Sequence, residues 1–227
     1  MRKILFVRGH NTFLPDKNSK DVYYNFKTFC DNNDMNITYV NYNLNDDIRE
    51  VYNKVCDLIR DKSFDFVVGH SMGGCLLTRY IFEHDISKFQ KVVLLMPLIY
   101  KEPNIQLLCN MPFVKHLHLP KLMIYPENKL WNEGNIMNDT QLCKLIPVSQ
   151  IADCYNHLLL TDEQISKTLN KNKNCILFYA SQESFVTINP GVLDKIKNKI
   201  IVEGKHECFN EIDNSYAFFK LFKKEFA

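Results

Sequence analysis

Apolar residues fall along this chain in two rhythms. Short, nearly unbroken runs occur at Lys3-Ile-Leu-Phe-Val7, Ile37-Thr-Tyr-Val40, Phe64-Asp-Phe-Val-Val68, Lys91 to Met96, Cys175-Ile-Leu-Phe-Tyr179 and Lys199-Ile-Ile-Val202. Runs of this kind predict strands buried on both faces. Between them apolar positions recur at helical spacing. Val22, Phe26 and Phe29 form one stripe, with Tyr23 and Cys30 beside it; Ile48, Val51, Tyr52, Val55, Leu58 and Ile59 form another. Asn45 or Asp46 is placed to cap the second helix. Further helices are predicted from about Met72 to Glu83, from an Asn189-Pro190 start through Ile196, and from near Asp213 to the end. Strands alternating with helices predict an α/β protein of three layers, with about six mostly parallel strands and helices on both faces.

The interval from Lys101 to Asn174 breaks that rhythm. It holds most of the prolines, the single tryptophan Trp131 and mixed short apolar runs. Gln150 to Leu160 and Asp162 to Leu169 read as helical, while Cys109 to Tyr125 fits no single pattern. The expected organisation is a core of residues 1–100 plus 175–227, with residues 101–174 inserted as a small cap or lid. Such an insertion would lie over the C-terminal edge of the sheet, where open α/β sheets bind ligands.

Chemistry concentrates at Gly69-His-Ser71-Met-Gly73-Gly74, a G-x-S-x-G turn between a buried strand and a helix. The residues two before and two after the serine must be small, because strand and helix pass close together there. Gly69 and Gly73 occupy those places. The chain has only 7 glycines, and Gly9, Gly69, Gly73 and Gly74 lie at two turns, with Gly204 shortly before His206. A serine hydroxyl is a weak nucleophile without a base, and the base needs an orienting carboxylate. Glu183 is the first acid past the fifth strand. His206 follows the last strand and is the only histidine at a strand end beyond the elbow. Glu102, after the fourth strand, is the alternative acid; Glu203 is too close to His206 on the strand itself.

At these residues the chain resembles the α/β-hydrolase superfamily, over residues 1–100 and 175–227. The order serine, acid, histidine is that family's own. The resemblance implies Ser71 as nucleophile, His206 as base and Glu183 as orienting acid. It implies an oxyanion hole from the Met72 N–H and a second N–H in the loop after the first strand. There the family often reads His-Gly-x and this chain reads Arg8-Gly9-His10, which points to His10, with Asn11 next. It further implies that the chain starts at what is usually the family's third strand, without the antiparallel hairpin before it. Arg8 departs from the usual histidine, and could steer an anionic substrate or pair with an acid at the loop base. Ala180 stands for a common glycine and Glu183 for the commoner aspartate.

The expected activity is that of a small serine hydrolase cleaving a carboxylic ester or thioester, with a small-molecule or lipid-like acyl substrate and no metal or organic cofactor. The same triad would serve amide or peptide cleavage, acyl transfer or C–C bond hydrolysis. A lipase acting at an interface would need residues 101–174 to be a mobile apolar lid. The rival from another class is a non-catalytic binding protein on the same scaffold.

Composition narrows this little. A net charge of +2 argues against nucleic acid or an anionic membrane, and 46% hydrophobic residues suffice for a packed core. The 8 cysteines include no C-x-x-C pair, and read as reduced, buried thiols of a cytoplasmic protein. The N-terminal apolar run is too short for a secretory signal. The run from Val92 to Tyr100 is broken by Pro97 and too short to span a membrane. His70 is expected to pack in the elbow, Cys208 to pack beside His206, and His116 and His118 to lie on an exposed face. Leu107, Leu108, Met111, Phe113 and Val114 suit either an acyl-binding wall or ordinary core.

Overall fold

The computed structural model describes residues 1–10, 23–120, 123, 145–211 and 214–226. Asn11, Val22, Trp131 and Asp213 lie outside the described residues. The chain runs β1 (Arg2–Val7), α1 (Tyr24–Asp31), β2 (Met35–Val40), α2 (Ile48–Asp61), β3 (Phe66–His70), α3 (Met72–Glu83) and β4 (Lys91–Leu95). Next come α4 (Pro103–Cys109), β5 (His118–Pro120), β6 (Leu145–Pro147), α5 (Ser149–Asp153) and α6 (Asp162–Lys171). It closes with β7 (Cys175–Ala180), α7 (Pro190–Lys195), β8 (Lys199–Val202) and α8 (Ser215–Phe226).

The main sheet has six strands in the order β2-β1-β3-β4-β7-β8, every pair parallel. Its strands are apolar throughout because both faces are covered, and alternate residues serve the two layers. Leu5, Val7, Val67, Leu94 and Leu177 pack toward α2, α3 and α6. Ile4, Phe6, Val68, Leu95 and Phe178 pack toward α1 and α8. This second layer is rich in phenylalanine. Helix α8 presents Phe218, Phe222 and Phe226 at four-residue spacing, and they meet Phe178, Phe26 and Phe66 in turn. Each such ring contributes about 1.5–3 kcal/mol by leaving water.

Sheet order determines where a ligand can sit. From β1 the chain moves outward to β2, then returns past β1 to β3 and continues the other way. The loops after β1 and β3 therefore diverge and leave a crevice at the C-terminal edge, the usual place for a site in such sheets.

One local expectation needs correction, and two readings gain detail. Asp47, not Asn45 or Asp46, caps α2, its carboxylate accepting from the Arg49 N–H at 2.7 Å; the Asp46 carboxylate is taken by the turn at Asn43. The segment read as one helix from Gln150 is α5 followed by a wider turn over Cys154–Leu158, closed by Leu159 N–H to the Cys154 carbonyl. The ambiguous stretch after Cys109 contributes β5, which pairs antiparallel with β6 apart from the main sheet. Asn189 caps α7 as expected, accepting from the Gly191 N–H. No helix among the described residues is long and apolar enough to cross a membrane. The described cysteines are free thiols, buried except for the half-buried Cys56.

Candidate active site

Because all six strands run the same way, the loops after β1, β3, β7 and β8 emerge on one edge. They carry His10, Ser71, Glu183 and His206 respectively. Ser71 sits between β3 and α3 with φ 52° and ψ −117°, a backbone that L residues adopt only when their surroundings enforce it. Here the enforcement is visible. The Ser71 N–H donates to the Leu95 carbonyl at 3.0 Å, and its own carbonyl accepts from Leu98 N–H at 2.9 Å. A methyl group on Gly69 would lie 2.6 Å from the Gly73 carbonyl oxygen, and one on Gly73 would lie 2.1 Å from that of Val7. The two glycines are thus required by backbone meeting backbone.

Glu183 and His206 meet as the chain order predicts. His206 Nδ1 lies 2.8 Å from Glu183 Oε2, with both side chains buried. The other carboxylate oxygen of Glu183 accepts from the main-chain N–H groups of Phe185 and Val186 at 2.7 and 3.0 Å. Burial by itself would raise the Glu183 carboxyl, but the charge and ring N–H of His206, with these main-chain donors, hold it below its ordinary value. Burial would lower the His206 imidazole, yet Glu183, aided by Glu207, holds it above its ordinary value. With Nδ1–H given to Glu183, Nε2 keeps its lone pair. Among the described residues the His206 ring bonds Glu183 and not the Ser71 hydroxyl; such contacts commonly tighten only when substrate arrives. Glu102, the alternative acid, caps α4 instead, accepting from Ile105 N–H at 2.7 Å.

Beneath these groups lies a polar chain that sequence reading missed. Tyr23 Oη accepts from the Gly9 N–H at 2.8 Å and lies 3.0 Å from His70 Nδ1. The His70 ring packs 4.8 Å from that of His206, and its Nε2 lies 3.9 Å from Glu207 Oε1. Burial, then the neighbouring His206 charge, pushes His70 well below the ordinary imidazole range, so it is neutral. The loop holding His10 is thereby tied to the loop holding His206. His70, His206 and Glu207 are also the one trio among the described residues whose donor atoms, all within 4.8 Å of one another, could share a cation. Tyr23 was hidden because it adjoins an apolar stripe and looks like core.

Arg8 does not face the crevice as a steering charge. It is buried, with its guanidinium 4.9 Å from the Tyr23 ring centroid and 5.5 Å from that of Tyr39. His10 is buried as well, which lowers its imidazole to about 3. Cys208 is fully buried packing, and His116 and His118 are exposed.

Ser71, Met72 and His10 open onto a cavity of about 360 Å³. Cys109, Val114, Val148 and Tyr155 form buried walls, and Phe185 and Val186 close the side next to Glu183. Ile105, Leu108, Leu117 and Met123 line it from exposed positions at its rim. The apolar group from Leu107 to Val114 is therefore divided. Leu108 and Val114 line the cavity, whereas Leu107, Met111 and Phe113 are exposed and do not. A larger open groove of about 830 Å³ runs between the end of α3 and α6, along polar residues such as Glu83, Asp85 and Lys167. It holds none of the four strand-end residues.

Comparison with known proteins agrees with this architecture. The family model of the alpha/beta hydrolase fold matches residues 15–123. The chain is similar to a monoacylglycerol lipase of Paleococcus ferrophilus, at 16% identity and a TM-score of 0.71, over 97% of this chain and 91% of that one. It is similar to an esterase of Exiguobacterium antarcticum, at 11% identity and a TM-score of 0.67, over 100% and 92%. A bromoperoxidase from Bacillus anthracis matches at 12% identity and a TM-score of 0.65, over 99% and 91%. No curated protein matches the sequence at a significant level. Identities this low speak to fold, and fold does not choose a reaction. With its parallel sheet, its strained serine turn and this match, the chain has the alpha/beta hydrolase fold.

Proposed function

We propose that the chain is a serine hydrolase that cleaves a carboxylic ester or thioester through an acyl-enzyme on Ser71. The observation that carries this reading is the buried His206–Glu183 pair at 2.8 Å, on the sheet edge that also bears Ser71 in its enforced turn. Ser71 Oγ attacks the acyl carbon and its proton passes to His206 Nε2, while Nδ1–H stays bonded to Glu183. The carbonyl oxygen becomes an oxyanion and is met by the main-chain N–H groups of Met72 and His10. Collapse breaks the bond to the leaving oxygen or sulfur, which takes the proton from His206. Water, deprotonated by the same nitrogen, then attacks the acyl-enzyme and frees the acid and Ser71. Residues 101–174 act as the cap, and Ile105, Leu108, Cys109, Val114, Val148 and Tyr155 are the residues it brings to the cavity.

The test is labelling of the folded protein by a fluorophosphonate probe, with Ser71→Ala as control. Labelling of the wild type alone, together with turnover of an activated ester, is expected. Equal labelling or equal turnover by the variant would remove the proposal.

A further inference from the structure

The cavity next to Ser71 carries information about the substrate that the triad does not. Its described lining holds no carboxylate, ammonium or guanidinium group, and the one imidazole there, His10, is held neutral by burial. A charged substrate group would lose its hydration there and meet no opposite charge among the described lining residues. At about 360 Å³ the space is near the small end of ligand sites. A methylene occupies a volume similar to the roughly 30 Å³ of a water in the liquid, so the space suits about a dozen heavy atoms.

The geometry also says which half of the substrate belongs there. His206 must hand its proton to the leaving group, so that group departs on the His206 side. The cavity opens at Ser71, Met72 and His10, and His206 is not among its described lining residues. What enters the cavity is therefore the part that stays bonded to Ser71.

We infer that this site takes an uncharged acyl chain of medium length, about eight to ten carbons including the carbonyl, a size set by the cavity volume. Longer chains must pass the exposed rim at Ile105, Leu108, Leu117 and Met123 and return to water. The inference rests on the hydrolase reading above.

The test uses the full chain and two ester series, each substrate below its aggregation concentration. One series varies the acyl chain from acetyl to hexadecanoyl on p-nitrophenol; the other varies the alcohol chain on acetate. In the acyl series kcat/KM is expected to rise about three- to fourfold per added methylene up to about C8 and then to level or fall. An octanoyl ester ending in a carboxylate is expected to react at least about a hundredfold more slowly than its uncharged counterpart. A maximum at acetyl, a rise continuing through hexadecanoyl, or an optimum carried by the alcohol series would overturn the inference while leaving a Ser71-dependent esterase in place. Absence of fluorophosphonate labelling would instead remove the hydrolase reading, and this one with it. Cys109→Phe, which fills part of the cavity, is expected to move the acyl optimum to shorter chains. Should that variant fail to fold, inactivation rates of the wild type by alkylphosphonates of graded length give the same profile. A profile without an optimum would again overturn the inference.

Discussion

The loops at the strand ends and the segment between β4 and β7 meet at the same cavity but are built differently. The strand-end loops hold Ser71, His206 and Glu183 through short hydrogen bonds and backbone contacts that admit little change. The β4–β7 segment supplies apolar walls from α4, α5 and the β5–β6 pair, and many of its apolar side chains remain exposed. On the proposed mechanism, the difference would make reaction and selectivity separable. Changes in the first region should act on the rate of bond cleavage, and changes in the second on which chain is accepted.

The largest expected effect sets the two candidate acids against each other. Glu183→Gln keeps the shape but removes the charge opposite His206, and kcat/KM is expected to fall about a thousand- to ten-thousandfold. Glu102→Gln disturbs only the cap of α4, with a loss of about 1 kcal/mol or less in stability and little change in rate. Steady-state kinetics of both variants decide it. Similar losses would break the separation, since Glu102 belongs to the β4–β7 segment.

A smaller effect is expected at Tyr23→Phe. The change removes the acceptor of the Gly9 N–H and the hydroxyl that meets His70 Nδ1. Leaving such buried groups without that partner costs about 1–3 kcal/mol. If the cost falls on the geometry of the His10 and His206 loops, kcat drops about ten- to a hundredfold while KM for a medium-chain ester stays within about threefold. A fall in melting temperature with kcat unchanged would mean that this chain is structural only.

The pH dependence probes the first region alone. In the proposed mechanism His206 would act as a base only when neutral, and Glu183 holds it above its ordinary value of 6.5. The acid limb of kcat/KM should therefore lie above 6.5 and move to lower pH in Glu183→Gln. The same shifts bear on stability. The contribution of His206 is complete below 6.5 and is lost as pH rises through its raised folded value. That of Glu183 is present above 4.5 and is lost as pH falls through its lowered folded value. Melting temperature against pH should show the largest deficit of Glu183→Gln between 4.5 and 6.5. A deficit that does not vary with pH would detach the pair from both effects.

How much of this was legible in the sequence follows the same division. Unbroken apolar runs located the six main strands, and parallel order then brought Ser71, Glu183 and His206 to one edge before any distance was known. The strands His118–Pro120 and Leu145–Pro147 escaped, because three residues ending in a proline offer no period to read and a ring with no N–H to donate. Helix α4 escaped because its cap is a glutamate, outside the usual capping residues. Tyr23 and the cavity walls escaped for a shared reason. An apolar or aromatic side chain facing a cavity is spelled the same way as one facing the core, and only the packing of distant segments tells them apart.

That ambiguity makes the smallest expected effect the sharpest test of the comparison. Leu108 and Phe113 are close in sequence, both apolar and both more than half exposed, at 52% and 60%. Only Leu108 lines the cavity. Phe113→Ser removes an exposed ring that is not among the described lining of the cavity, so its stability should stay within about 0.5 kcal/mol of wild type. Its kcat/KM on each acyl ester should stay within about twofold, and the optimum chain length should not move. Leu108→Ser should instead lower kcat/KM for the medium-chain esters more than for the acetyl ester, because the lost contact is one that only a long chain makes. The ratio of octanoyl to acetyl kcat/KM, measured in both variants, separates them. If Phe113→Ser depressed that ratio as much as Leu108→Ser, the acyl chain would have to extend over the outer face of the segment, and the cavity could no longer be what limits its length.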